Sequence, residues 1–159
     1  MTRIEPTPEA EPAEDATPPA AMPKEEMQAR RFRAARQARS EALTEDYVEL
    51  IADLMATGGE ARTVDIARRL GVSHATVVKA MARLKREELV SSKPYRGIFL
   101  TETGRELAER VRARHRLVVK LLLAVGVPPD DAEADAEGIE HHVSANTLAA
   151  FSRFLEKQL

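Results

Sequence analysis

Two short apolar-periodic segments, residues 63–70 and 74–84, are separated only by Gly71-Val72-Ser73. Thr63 is placed to cap the first segment as a helix, Gly71 to end it, and Ser73 to cap the second. Ile66, Ala67, Leu70, Val72, Val77, Val78, Met81 and Leu84 supply an apolar seam between the two. Two helices joined by a short Gly-containing turn, with small polar residues opening the second, form the helix-turn-helix pattern. Whatever else the chain does must be built around this unit.

The flanking segments extend it. Thr44 is a plausible cap for a helix from Glu45 to about Ala56, with Tyr47, Leu50, Ile51 and Leu54 facing a core and Gly58-Gly59 closing it. Downstream, residues 89–93 and 97–101 are β-rich and flank Pro94-Tyr95-Arg96, which reads as a hairpin. Helix, helix-turn-helix and hairpin in this order predict a winged helix over residues 44–101. Three more helices are expected over 102–159: Glu102 to about Val125, Pro129 to about His142, and Ser144 to about Lys157. Thr147, Leu148, Phe151, Phe154 and Leu155 mark one face of the last, and part of that apolar surface is expected to bury against a second copy. The predicted architecture is mostly α: an N-terminal winged helix-turn-helix with a small hairpin wing, then a helical domain. Residues 1–23, rich in Glu, Ala, Pro and Thr, read as a disordered tail, and the Ala/Arg-rich stretch after Pro23 as a weak helical arm reaching residue 43.

Composition narrows the chemistry. There is no cysteine in the 159 residues, which removes disulfides, iron–sulfur clusters and thiolate metal sites. The N-terminus lacks the apolar stretch of a secretory signal, and the longest apolar run, Leu117 to Val127, is broken by Lys120 and too short to span a bilayer. A soluble cytoplasmic protein without membrane partners is the expectation. The net charge of −2 conceals a separation of signs. Residues 30–39 carry five arginines and no acid, whereas residues 130–140 hold six carboxylates and no base.

A second basic group, Lys79, Arg83, Lys85, Arg86, Lys93 and Arg96, accompanies the helix-turn-helix and wing. Lys79, Arg83, Lys93 and Arg96 are candidates for phosphate contacts. Base reading falls to the start of the second helix, where Ser73, His74 and Thr76 are candidates. A double-stranded DNA operator is the predicted partner; a helical hairpin without a nucleic-acid role is the alternative.

The acidic stretch holds the most chemistry. On a helix, Glu137, Glu140 and His141 fall within an arc of about 100°. Oxygen and nitrogen donors converging in this way suit a borderline divalent ion; an acidic solvated face with an incidental histidine would look the same. His-Glu-x-x-His is absent, and Glu-x-x-His fails because Gly138 and Ile139 stand three residues before His141 and His142. His142 lies about 100° further round the helix than His141, which suits an outer or dimer-facing role. Asp46 and Glu49 sit one turn apart, but acids in a first helical turn also offset the macrodipole. His115, inside Arg112-Ala113-Arg114-His115-Arg116, reads by itself as a surface histidine.

Taken together, Glu137-Gly138-Ile139-Glu140-His141-His142, Lys93-Pro94-Tyr95-Arg96-Gly97 and Asp46-Tyr47-Val48-Glu49 resemble the diphtheria toxin repressor family, in its short manganese-responsive branch, over about residues 44–157. The resemblance implies a homodimeric DNA-binding repressor that takes Mn²⁺, with two nearby ions per subunit and Fe²⁺ as a competitor. It implies a metal-ligand set of Asp46, Glu49, His115, Glu137, Glu140 and His141. The iron-responsive branch looks for methionine where Asp46 stands and cysteine where Glu137 stands; oxygen donors at both favour Mn²⁺ by ligand type. The N-terminal extension of more than forty residues departs from the short branch. Neither an enzyme nor a small-molecule substrate is expected. A winged-helix regulator that senses an organic ligand, or none, is the alternative; a metal-dependent hydrolase lacks a visible acid–base residue.

Overall fold

The computed structural model describes residues 22–92 and 97–157. Its elements run α1 (Glu25–Gly58), α2 (Thr63–Leu70), α3 (His74–Arg86), β1 (Val90–Ser92), β2 (Ile98–Leu100), α4 (Glu102–Ala124), α5 (Pro129–Ile139) and α6 (Ala145–Glu156). The mostly helical winged-helix plan read from the pattern is the observed one. Residues 1–21, the greater part of the expected tail, and Lys93 and Arg96 of the wing lie outside the described residues.

The main departure is at the start. The basic arm and the first winged-helix helix are one continuous element of 34 residues, so Thr44 is not a cap. Its hydroxyl instead bonds back to the Ser40 carbonyl at 3.4 Å, as mid-helix threonines do. Ala- and Arg-rich sequence has high helix propensity, and no Gly or Pro separates the arm from Glu45, so nothing stops the helix. Gly59, at φ 77°, ends it as expected, its N–H bonding the Met55 carbonyl at 2.9 Å. Two further boundaries differ. Arg62 rather than Thr63 holds the N-cap position of α2, without a side-chain cap. α5 stops at Ile139, three residues before His142.

Ser73 caps α3 by accepting the Thr76 N–H at 3.1 Å, and Gly71 closes α2 in the left-handed conformation at φ 65°. Val48, Ile51, Ile66, Val77 and Leu84 are fully buried and form the centre of the winged-helix core. Val72 and Val78, expected in that seam, are exposed instead: Val72 lies in the turn between the helices, and Val78 stands about 100° round α3 from the buried Val77. β1 and β2 pair antiparallel, Val90 opposite Leu100 and Ser92 opposite Ile98. The loop after α1 joins this sheet through a bridge between Ala61 and Ile98, with N–H to carbonyl distances of 2.7 and 3.2 Å.

α4 couples the two halves. Its first part, through Ala108, belongs to the winged-helix core; Val111 and Val118 further along are buried, as are Ala132 and Ala136 of α5. Gly104 is where α4 meets the hairpin: a Cβ there would stand 2.1 Å from the Leu89 carbonyl oxygen. Gly104→Ala should therefore destabilise the chain by about 2 kcal/mol or more, lowering the thermal midpoint of the metal-free protein by about 4–8 °C; an unchanged midpoint would show that the hairpin yields freely. α6 packs on α4 but buries no residue fully, and Phe154 remains 40 % exposed. Leu123 and Val125 at the end of α4 are exposed as well. No helix among the described residues is long and apolar enough to cross a membrane.

Candidate metal centre

The packing of α1 against α4 and of α5 against α4 brings three separate stretches of sequence to one place. α1 presents Glu45, Asp46 and Glu49 on adjacent turns, α4 presents His115, and the end of α5 presents Glu133, Glu137 and Glu140. Glu140 occupies the C-cap of α5 with helical φ −58° and ψ −32°, so the arc expected for 137 and 140 survives to the helix end. His141 lies in the following turn and swings across to α1.

Glu140 is the hub. It is the one charged residue fully buried among the described residues. Its Oε2 lies 2.6 Å from His115 Nδ1. Its Oε1 is 3.5 Å from His141 Nε2 but has no hydrogen-bond partner. Leaving a buried carboxylate oxygen without a donor costs on the order of 1–3 kcal/mol or more. Around the hub, Glu137 Oε1 is 3.8 Å from His115 Nδ1, and Asp46 Oδ1 is 3.1 Å from His141 Nε2. His115, Glu137 and Glu140 each offer a donor atom within 4.8 Å of the other two. Glu49 is aligned with them along a cleft of about 600 Å³, lined also by Asp46, Asp53, Glu137 and His141.

The electrostatics describe a site with surplus negative charge. Hydrogen bonds to Asp46 and Glu45 raise the His141 ring to about 10 against the opposing effect of burial. Burial also opposes the charged form of His115, yet contacts with Glu133 and Glu140 and the charge of Glu137 raise it on balance. Glu49 is raised by burial and by the charges of Glu137 and Asp53. Glu140 is raised by burial, which the two histidines offset only in part. Burial pushes Glu45 in the same direction, but hydrogen bonds from His141 and Arg114 outweigh it and hold its carboxyl below the usual range. Both imidazoles are thus pushed towards their charged forms where carboxylates converge, and one buried oxygen has no donor. Carboxylates with imidazoles, and no sulfur, suit a hard to borderline divalent cation, so these residues fit a metal ion.

Of the six ligand candidates, the structure sets the donor atoms of His115, Glu137 and Glu140 together, pairs Asp46 with His141 beside them, and places Glu49 on the adjoining cleft. It also adds residues the sequence did not single out. Glu45 and Glu133 contact the two histidines, and Arg114 holds Glu45 at 2.5 Å. Glu45 adjoins Asp46 in sequence, and nothing local reveals that it meets His141, 96 positions away. Beside the centre, Arg112 pairs with Asp53, a second tie between α4 and α1.

On the outer face of α3, Ser73, His74, Thr76, Val78 and Lys79 are exposed. The hydroxyls of Ser73 and Thr76 lie 2.8 Å apart, so the cap occupies both. Arg83 is turned inward: its guanidinium bonds Thr44, reaches the Ser40 carbonyl at 3.5 Å and pairs with Glu87. Arg83, a candidate for phosphate contact, is thus half-buried and tied to α1 and Glu87.

Comparison with known proteins matches this division of labour. Residues 41–98 match a family model described as iron dependent repressor, N-terminal DNA binding domain. Residues 101–158 match the iron dependent repressor metal binding and dimerisation domain. The transcriptional regulator MntR of Escherichia coli O6:H1 is 52% identical over 126 residues, covering 79% of this chain and 81% of that protein. An HTH-type transcriptional regulator MntR of Listeria monocytogenes is 40% identical over 104 residues, covering 65% of this chain and 73% of its own length. Among solved structures, that of the manganese regulator SloR aligns with a TM-score of 0.62 at 30% identity, over 71% of this chain and 53% of that one. A manganese-dependent transcriptional repressor in complex with manganese aligns at 0.60 and 29% identity, over 71% and 52%. This chain therefore spans about half the length of those two solved proteins. A winged helix joined through an acidic and imidazole cluster to a dimerisation domain, at this level of identity, leaves one conclusion: the chain belongs to the iron dependent repressor family of metal-responsive, DNA-binding transcriptional regulators, alongside the MntR proteins.

Proposed function

We propose that this protein is a homodimeric, cytoplasmic repressor that Mn²⁺ activates for operator binding, and that its targets are manganese-uptake genes. The observation that carries the reading is the Glu140 hub: a buried carboxylate with an unpartnered oxygen, set between two histidines at the joint of the two family domains. Manganese is the metal named for the SloR and repressor-complex structures that resemble this chain. Oxygen donors at Asp46 and Glu137 suit that ion.

Asp46, Glu49, His115, Glu137, Glu140 and His141 would hold the metal. Glu140 turns one oxygen to His115 and the other to His141, so this one carboxylate would join the donors around the two histidines. When bound, the ion supplies the positive charge that this group of acids lacks. The chain's own residues then do the coupling. Asp46 and Glu49 are carried on α1, which is part of the winged-helix core; His115 stands on α4 and the remaining ligands at the end of α5. Ligation from both sides would hold α1, and with it residues 44–101, in one orientation on the dimerisation domain, residues 102–159. In the dimer the two α3 helices would then stand about one DNA turn apart and enter successive major grooves. His74 and Lys79 would face the operator in this arrangement, with Ser73 and Thr76 at the opening of α3; Lys93 and Arg96, outside the described residues, remain the proposed phosphate contacts of the wing. The apolar face of α6 and the end of α4 would form the contact between copies.

The decisive experiment is operator binding by the chelator-treated dimer as Mn²⁺ is added. Affinity should rise by about 5–150-fold, the range of a coupling of about 1–3 kcal/mol, with DNA tightening metal by the same factor. Tight binding that ignores both Mn²⁺ and chelator would remove the metal from the mechanism. The DNA face has its own test. Lys79→Ala should weaken binding to all sequences and reduce the salt slope by about 1, while Mn²⁺ affinity stays unchanged; an unaltered slope would place Lys79 away from phosphate.

A further inference from the structure

We infer that Glu45 and Glu133, neither of them among the six proposed ligands, are positioning residues: each accepts the ring N–H that its histidine turns away from the donor cluster, and so decides which nitrogen faces the metal. The inference rests on the metal-site reading above and deepens it.

The two rings are engaged on both nitrogens, in opposite senses. His115 directs Nδ1 inward, 2.6 Å from Glu140 and 3.8 Å from Glu137. Its Nε2 lies 2.9 Å from Glu133 Oε2. His141 directs Nε2 inward, 3.1 Å from Asp46 and 3.5 Å from Glu140. Its Nδ1 lies 2.7 Å from Glu45 Oε2. A neutral imidazole has one N–H and one lone pair, so a carboxylate holding the N–H on one side leaves the lone pair on the other. Such outer carboxylates fix ring orientation and raise the basicity of the ligating nitrogen.

What separates Glu45 from the ligands is Arg114. The guanidinium approaches the same Oε2 at 2.5 Å, in a pair with side-chain exposures of 22 % and 13 %. With Oε2 shared between Arg114 and His141, that oxygen has its lone pairs committed and serves as their acceptor. Glu133 reaches His115 by another route. It stands four residues before Glu137 on α5, on the same face, and extends over the outer edge of the ring. It is largely exposed, at 64 %, and an ordinary surface ion pair would look similar in outline. The difference lies in whether it controls the ring's proton.

Full-length protein with isotope-labelled histidine, loaded with a spin-active cadmium isotope as a diamagnetic probe, tests this by long-range proton–nitrogen correlation. Cadmium coupling is expected at Nδ1 of His115 and Nε2 of His141, with a retained proton on the opposite nitrogen of each. In Glu133→Ala the retained proton of His115 alone should be lost to exchange, and Mn²⁺ affinity should fall by about 10–100-fold. Glu133→Gln, which keeps an acceptor, should recover most of that loss. Glu45→Ala should lose the His141 proton alone, and Glu45→Gln, which keeps an acceptor for both Arg114 and His141, should restore it. Coupling at the opposite nitrogens, or at both nitrogens of His115, would overturn the inference, the latter by making Glu133 border a metal. Alanine variants at 45 and 133 with unchanged affinity and unchanged ring protons would overturn it too. Absence of cadmium coupling from both histidines would instead overturn the metal-site reading itself.

Discussion

Glu140→Gln should abolish the Mn²⁺-dependent gain in operator affinity while the chain stays folded and dimeric. The amide has nearly the volume of the carboxyl, so the packing around this fully buried position is kept. What disappears is the charge on the one carboxylate, among the described residues, that pairs with both His115 and His141. Loss of Mn²⁺ affinity should exceed the 10–100-fold typical of outer contacts to a metal site, and the activation of about 5–150-fold should vanish. Fluorescence anisotropy on an operator fragment with and without Mn²⁺, alongside size-exclusion chromatography, reads both properties. A Glu140→Gln protein that still responds to Mn²⁺ would show that the buried carboxylate serves the fold alone.

The second large effect is on pH. With its ring held at about 10 by Asp46 and Glu45, His141 is protonated at neutral pH in the metal-free chain. A ligand nitrogen must give up that proton, so Mn²⁺ affinity should rise with pH, by about tenfold per unit for this ring alone until pH approaches 10. His115, also raised, contributes in the same direction. Between pH 6 and 8 the change should reach about 100-fold from His141. Calorimetry in buffers of different ionisation enthalpy should register proton release on binding; affinity indifferent to pH would exclude His141 as a ligand. The metal-free protein should behave in the opposite way. A raised imidazole contributes stability in full below its unfolded value near 6.5, and that contribution is lost as pH climbs through about 10. Alkali should therefore loosen the empty joint while it strengthens the filled one.

Much of this molecule is legible in its sequence, for identifiable reasons. The helix-turn-helix and hairpin follow from Gly71, Ser73 and the Gly59 stop, where backbone geometry or a cap fixes the boundary locally. Thr44 misleads because a capping residue and a tolerated mid-helix threonine look identical in sequence; the difference lies in the helix-forming residues before it. The inward turn of Arg83 depends on where α1 crosses α3, a long-range fact. In the metal centre, the arc of Glu137 and Glu140 is visible because it is local to one helix. His115 gains its meaning only from a family resemblance, since 25 positions separate it from Glu140. Glu45, Glu133 and Arg114 escape both approaches: the two acids act on histidines carried by other elements, Arg114 acts on Glu45, and no spacing rule connects them.

The unbroken run of α1 from Glu25 to Gly58 has a mechanical corollary. At about 1.5 Å per residue it is a rod of roughly 50 Å, with Glu45 and Asp46 some 30 Å from its first residue. A rod gripped near its middle is a lever. A tilt of about 5° at that grip carries the free end through between 2 and 3 Å by simple trigonometry over the distance just given. The exposed Met27 near that end is thus a natural place for a distance probe, where a sub-ångström adjustment among carboxylates is written out at a scale spectroscopy can resolve.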